Sequence, residues 1–200
     1  MIEKIDYVSI RERLSLPLLR SLGRDDGVAV CDPVFLLDRS FWSEFAGRVT
    51  KSIPYLVVYD FDKSESLKSL VETIAVKFHL KVFNIGPYRL SYADKNFTLS
   101  GPKEFIRLIR DAQFVISNSF HATAFAIIFK VPFYVIKRKE AINERMESLL
   151  TDCGLSDRIV DIKNNISISS INYYETEQPL NKVIITSCSF IHKVIQNTSI

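Results

Sequence analysis

The sequence predicts an α/β fold, a mostly parallel sheet flanked by helices. Three observations carry this. Short runs rich in Val, Ile, Phe and Tyr recur along the chain, and longer amphipathic stretches separate them. The longest apolar run, 122–135, is cut by Lys130 and Pro132, so it reads as a buried helix followed by a buried strand. It is also shorter than the roughly 20 residues that span a bilayer.

Taken in order, strands are expected at about 28–31, 55–61, 81–85, 114–117, 132–136 and 158–162. Residues 64–79 place Leu67, Leu70, Val71, Ile74 and Phe78 three and four apart, the spacing of one core-facing helical stripe. Residues 101–112 repeat the pattern, with Pro102 in a tolerated first-turn position and Phe105, Leu108 and Ile109 on the buried face. A third helix begins near His121 and a fourth covers 140–150. Gly154 is free to take the left-handed conformation that stops it. Residues 163–172 are polar and aperiodic, and a last helix runs over about 175–196.

Bulk composition removes several function classes. With 47% apolar and 24% charged residues in 200, the chain can bury a full core. Twenty-six basic against 23 acidic residues leave a net charge of +3, without the clustered basic footprint of a nucleic-acid binder. Cys31, Cys153 and Cys188 are odd in number and widely spaced, which fits neither a disulfide framework nor a metal site and points to a reducing, cytoplasmic setting. His79 and His192 lack a second ligand at metal spacing, so no metal is expected. Asp25 and Asp26 precede Gly27 and read as a turn. The first residues alternate acids and bases and carry no signal-peptide core, and membrane insertion is not expected.

Chemistry concentrates in 114–134, FVISNSFHATAFAIIFKVPFY, where an apolar strand ends in a polar tip and a small-residue helix follows at once. In open parallel sheets ligands gather beyond the carboxyl ends of strands, and helix N-termini favour anions. Ser117, Asn118, Ser119, Phe120, His121 and Thr123 fall at or near such an edge. Two readings compete: an anion site, or a helix capped by Asn118 or Ser119 with a packed His121.

This segment resembles the signature of the polysaccharide pyruvyl transferase family, a strand ending in Asp-Ser-Phe-His-Gly or Asp-Arg-Leu-His-Gly followed by a small-residue helix and a Pro-containing strand. Here it reads Asn118-Ser119-Phe120-His121-Ala122, with Pro132 in place. Further pieces follow the family's order: VSIRERLSLPLLRSLG, like its Ser-x-Arg-Glu segment and a helix ending in Leu-Gly; CDPVFLLDRSFW, like its Asp-Pro-x-x-Leu-Leu segment; INERMESLL, carrying an Asn-x-Arg; and GLSDRIV. The resemblance covers roughly residues 7–162. It departs at Asn118, where aspartate is usual, and at Ala122, where glycine is usual.

The resemblance implies a Rossmann-like domain over 1–162 that carries the donor site and is similar to one half of a GT-B-type two-domain glycosyltransferase. It further implies a linker at 163–174 and a C-terminal helix at 175–200 that packs back on the domain or on a partner half. Family members are about twice this length, so the expectation is a C-terminal half whose N-terminal half comes from a partner chain, or a homo-oligomer. The implied activity is transfer of pyruvate from phosphoenolpyruvate to a saccharide or lipid-linked oligosaccharide of a cell-surface or exopolysaccharide, forming a ketal. No cofactor is implied, and the implied setting is cytoplasmic, at the inner face of the membrane. His121 becomes the acid/base residue. Arg11, in the Ser-x-Arg position, becomes the main anion contact, with Arg13 the alternative if the register differs by two. Asn143 and Arg145 join as further substrate-binding residues. Two rival readings stay open, a nucleotide-sugar donor domain and an inactive or scaffold subunit of a split enzyme.

Overall fold

Branched and aromatic runs become strands where both of their faces can be covered, and that is how most of the expected strands behave. The computed structural model describes residues 2–49, 53–138, 143–161 and 171–198. These fall into two units, one made of Met1–Leu36, Glu144–Ser156 and Asn172–Ile200, the other of Leu37–Asn143 and Asp157–Ile171.

The second unit holds the main sheet. Its strands are β3 (Tyr55–Tyr59), β4 (Lys81–Asn84), β5 (Lys95–Asn96), β6 (Phe114–Ser117) and β7 (Phe133–Val135), all parallel, in the order β5-β4-β3-β6-β7. This is the expected Rossmann-like α/β architecture. From β3 the chain winds outward through β4 to β5, then returns to place β6 on the other side of β3. The carboxyl ends of β3 and β6 therefore flank the point where winding reverses, which is where open α/β sheets bind ligands.

Helix α3 (Glu65–Phe78) starts at Ser64, whose hydroxyl accepts from the Leu67 N–H, and ends at His79 in the left-handed conformation. Leu67, Leu70, Val71 and Ile74 pack with Leu56, Val58 and Ile116 of the sheet. Phe78, expected in that stripe, is exposed at the helix end. Helix α4 (Pro102–Arg110) buries Ile106, Leu108 and Ile109; Phe105, expected with them, is only partly buried and turns toward a cleft. Helix α5 (Phe120–Phe129) is apolar on nearly every side because it packs on β6, β7 and α4. Helix α2 (Arg39–Ala46) is capped by Asp38, which accepts from the Phe41 N–H at 2.8 Å, and its last carbonyls are held by Arg110, which donates to Ser43 O and Gly47 O.

In the first unit β1 (Ser9–Ile10) pairs in parallel with β2 (Val28–Ala29), followed by α1 (Leu16–Ser21), α6 (Glu144–Asp152) and α7 (Tyr173–Thr198). Gly154, at φ +68°, stops α6 as expected. Within α7, Ser187 Oγ accepts from the Cys31 N–H at 2.8 Å, seating the helix against the segment after β2.

Several expectations need correction. The 28–31 run forms only two residues of strand, and these join β1 in a sheet of their own. The 55–61 run leaves the sheet after Tyr59, because Asp60 there turns to bind backbone N–H groups of the next turn. The 158–162 run supplies one bridge, Ile159 to Val135, and residue 162 lies outside the described residues. The fourth helix is described from Glu144; 139–142 lie outside the described residues, as do 163–170 of the expected linker.

If the sheet is covered on both faces, Ile116→Ala, at a site with 0% exposure, should cost about 2–5 kcal/mol in denaturant unfolding. Val76→Ala, at a site 76% exposed, should stay within about 0.5 kcal/mol.

Candidate functional site

Three loop starts surround the reversal point: Asp60 after β3, Gly86 after β4 and Asn118 after β6. Asp60 is 1% exposed. Its Oδ1 accepts from the Asp62 N–H and from Asn118 Nδ2, both at 2.8 Å, and its Oδ2 accepts from the Ser64 N–H at 2.7 Å. Asn118 answers by accepting the Phe61 N–H on its Oδ1 at 2.9 Å. The two side chains thus lock the end of β3 to the end of β6 with charge-assisted and backbone hydrogen bonds. Gly86 fits against this lock: a Cβ there would stand 3.1 Å from both Asp60 N and Asn84 Oδ1.

The lock sets the turn into α5. Ser117 Oγ accepts from the Ser119 N–H at 2.8 Å. Ser119 is the helix cap, its hydroxyl facing the Ala122 N–H. Thr123, fully buried, donates back to Ser119 O at 3.0 Å. Ser117, Asn118, Ser119 and Thr123 are all buried, so these side chains build the turn. Phe120 is partly buried, with its ring edge-on to the His121 ring. His121 itself is exposed and, with Ser119, lines a cleft of about 760 Å³. The packed-histidine reading does not hold. The capping reading holds for Ser119, and it coexists with an open cleft. The buried methyl of Ala122 faces into the packed helix, away from solvent.

Aromatic rings dominate the cleft wall. Trp42 meets Phe41, Phe45 and Phe125 edge-on at 5.4, 5.8 and 5.0 Å between centroids, and the series continues through Phe105 to Tyr59 and Phe61. Burial pushes the Tyr59 phenol above its usual range. Beside Phe61, Arg138 stacks its guanidinium on the ring at 4.6 Å and lies 3.5 Å from Asp62. Among the described lining residues there is no Asp, Glu, Lys or Arg.

The remaining expected residues lie elsewhere. Asn143 clips its own loop, accepting from the Arg138 N–H at 2.8 Å and donating to Arg138 O at 2.9 Å. Arg11 and Arg145 belong to the first unit. Arg11, directly after β1, donates to the buried carboxylate of Asp32, while Arg145 lies 2.8 Å from Glu12 and 3.6 Å from Asp32. The structure thus draws both predicted arginines around Asp32 of the Asp-Pro motif. Arg13 begins a short 3-10 turn. No described helix is long and apolar enough to cross a membrane.

The family model described as polysaccharide pyruvyl transferase matches residues 1–140. The chain belongs to the polysaccharide pyruvyl transferase family. That match spans the first arginine motif, the β3 end with Asp60, and the whole β6-α5 junction with His121. No curated protein matches the chain. Membership marks the chain as a transferase-family protein, and the family's description points to polysaccharides as its acceptors.

Asp60 was missed in the sequence because it continues the run YLVVYD and reads as the tail of a strand. It is also the direct partner of the departing residue, since Asn118 Nδ2 donates to it. An aspartate at 118 would set two carboxylates in hydrogen-bond contact inside a buried site, and both cannot ionise there. Asn118→Asp should therefore be stable at pH 4, where the pair keeps a proton. It should lose about 2 kcal/mol relative to wild type as pH rises to 8 and that proton must leave. Thermal unfolding across pH measures this, and adding Asp60→Asn should restore the wild-type profile.

Proposed function

We propose that this transferase-family protein moves pyruvate from phosphoenolpyruvate to two hydroxyls of a saccharide, forming a ketal. One observation carries the proposal: His121 is exposed in a cleft at the reversal point of a parallel sheet, on the first turn of a ten-residue helix whose N-terminus faces the strand ends. A helix start supplies a positive dipole end that favours an anion. An imidazole supplies a proton donor and acceptor near neutral pH.

The steps balance as follows. A proton adds to the methylene carbon of the donor, making a methyl group, while a cation develops at the adjacent carbon. The first acceptor hydroxyl bonds to that carbon and gives up its proton. The carbon–phosphate oxygen bond then breaks, and phosphate leaves with the bonding pair. The second hydroxyl closes the ketal, and its proton leaves with phosphate. In this reading His121 carries the protons, and Ser119 with the α5 N-terminus holds the phosphate. Ser117, Asn118, Phe120 and Thr123 shape that turn. Arg11 and Arg145 are the guanidinium candidates for anion binding in the first unit, where Asp32 and Glu12 hold them. Asn143 contributes through the loop it closes.

The remaining assignments belong to the same proposal. The acceptor is a saccharide or lipid-linked oligosaccharide of a cell-surface polysaccharide, reached from the cytoplasmic face of the membrane. A partner chain or a second copy completes the enzyme. Phosphate release with phosphoenolpyruvate and an acceptor saccharide tests the core claim. His121→Ala should lower the rate at least about a hundredfold with the circular dichroism spectrum unchanged. An active, folded variant removes His121 from the mechanism.

A further inference from the structure

The cysteines are far apart in sequence, but the fold brings two of them to one seam of the first unit. Cys31, just after β2, donates its N–H to Ser187 Oγ at 2.8 Å. Ser187 is buried in α7, its own hydroxyl donating to Val183 O at 2.7 Å, and Cys188 follows it in the chain. Bond lengths then put the α-carbons of Cys31 and Ser187 within about 7 Å, and those of Cys31 and Cys188 within about 10 Å. Burial is the main influence pushing the Cys31 thiol up; contact with Ser187 opposes it, and charge on Cys188 adds to it. A like charge acts this way only from close by. Cys153 stands apart, 2% exposed, its thiol pushed up to about 12 by burial.

The helix that carries Cys188 is thinly seated. Of the 26 residues of α7, Thr176 and Ser187 are the ones buried, while Ile185, Ile191 and Ile195 are 66%, 40% and 59% exposed. Such an element opens locally at low cost. A disulfide needs α-carbons about 4.4–6.8 Å apart. A small shift of α7, in which the Cys31–Ser187 hydrogen bond gives way, closes that distance.

We propose that Cys31 and Cys188 form a reversible dithiol–disulfide switch that ties α7 to the segment after β2 when the protein meets a peroxide. The exposed Cys188 attacks as thiolate. The peroxide O–O bond breaks, a sulfenic acid forms on Cys188, and the departing hydroxide takes up a proton as water. The Cys31 sulfur then bonds to the Cys188 sulfur, the S–O bond breaks, and a second water leaves with the Cys31 proton. Two electrons pass from the sulfurs to one peroxide, and a dithiol reductant reverses the step. The residue after Cys31 is Asp32, on which Arg11 and Arg145 converge. Any consequence for transfer through those arginines rests on the pyruvyl-transfer reading; the disulfide does not.

The dilute, reduced protein is treated with hydrogen peroxide, its remaining thiols are blocked, and peptides are mapped without reduction. The expected product is a Cys31–Cys188 link within one chain, two hydrogens lighter and undone by dithiothreitol, with Cys153 still a thiol. Trypsin cleavage after Lys182 and Lys193 of α7 should slow at least about tenfold in the oxidised protein. Cys188→Ser, at an exposed site, should fold and lose both effects. Cys31→Ser should leave Cys188 to proceed to sulfinic acid; if it fails to fold, Cys188→Ser alone carries the comparison. Oxidation of Cys188 with Cys31 still a thiol, a link between chains or to Cys153, or unslowed cleavage of α7 would each overturn the proposal. None of these measurements reads phosphate release, so failure here is distinct from failure of the transferase reading.

Discussion

The buried pair of Asp60 and Asn118 is the constraint on which the site depends. Two parallel strands that diverge in chain order leave their carboxyl ends side by side, and backbone groups there have no further ladder to join. Asp60 takes up three donors and Asn118 a fourth N–H, so both strand ends are finished by side chains. That fixes where the chain leaves β6, hence where Ser119 caps α5 and where His121 emerges. Gly86 belongs to the same arrangement, since any side chain there would press on Asp60.

The site combines two environments of opposite character. Its floor is a polar turn whose hydroxyls and amides are satisfied internally; its wall is a series of rings brought in by α2, α4 and α5. Helix α2 is itself held by charge, through Asp38 at its start and Arg110 at its end. The arginines of the two family motifs are organised separately, in the first unit, around Asp32, which is buried and also accepts from the Val34 N–H. A carboxylate shared by two guanidiniums keeps both extended and oriented at the expense of part of their charge.

Much of the fold was legible because the hydrophobic pattern is strong where the structure is most buried. The β3, β4, β6 and β7 runs, the α3 stripe, the Pro102 start and the Gly154 stop all follow from spacing and turn chemistry. What escaped has physical reasons. Strand β5 is two residues, Lys95 and Asn96, paired along one edge and without an apolar signature. Asp60 looked like strand because polarity at a strand end is visible only once the neighbouring strand is known. The segment around His121 was readable as a strand-to-helix junction, yet its partner across the reversal point sits 58 positions away. The ring wall drew no attention because aromatic residues at helical spacing ordinarily mean core.

The central claim is that an anionic three-carbon donor settles where β6 gives way to α5, beside His121. The chain has only three histidines, His79, His121 and His192, so their ring resonances can be followed individually by NMR. Titration with phosphoenolpyruvate should move the His121 signals saturably and leave those of His79 and His192 in place. Movement of the other two alone, or no movement at all with the protein folded, would contradict the account.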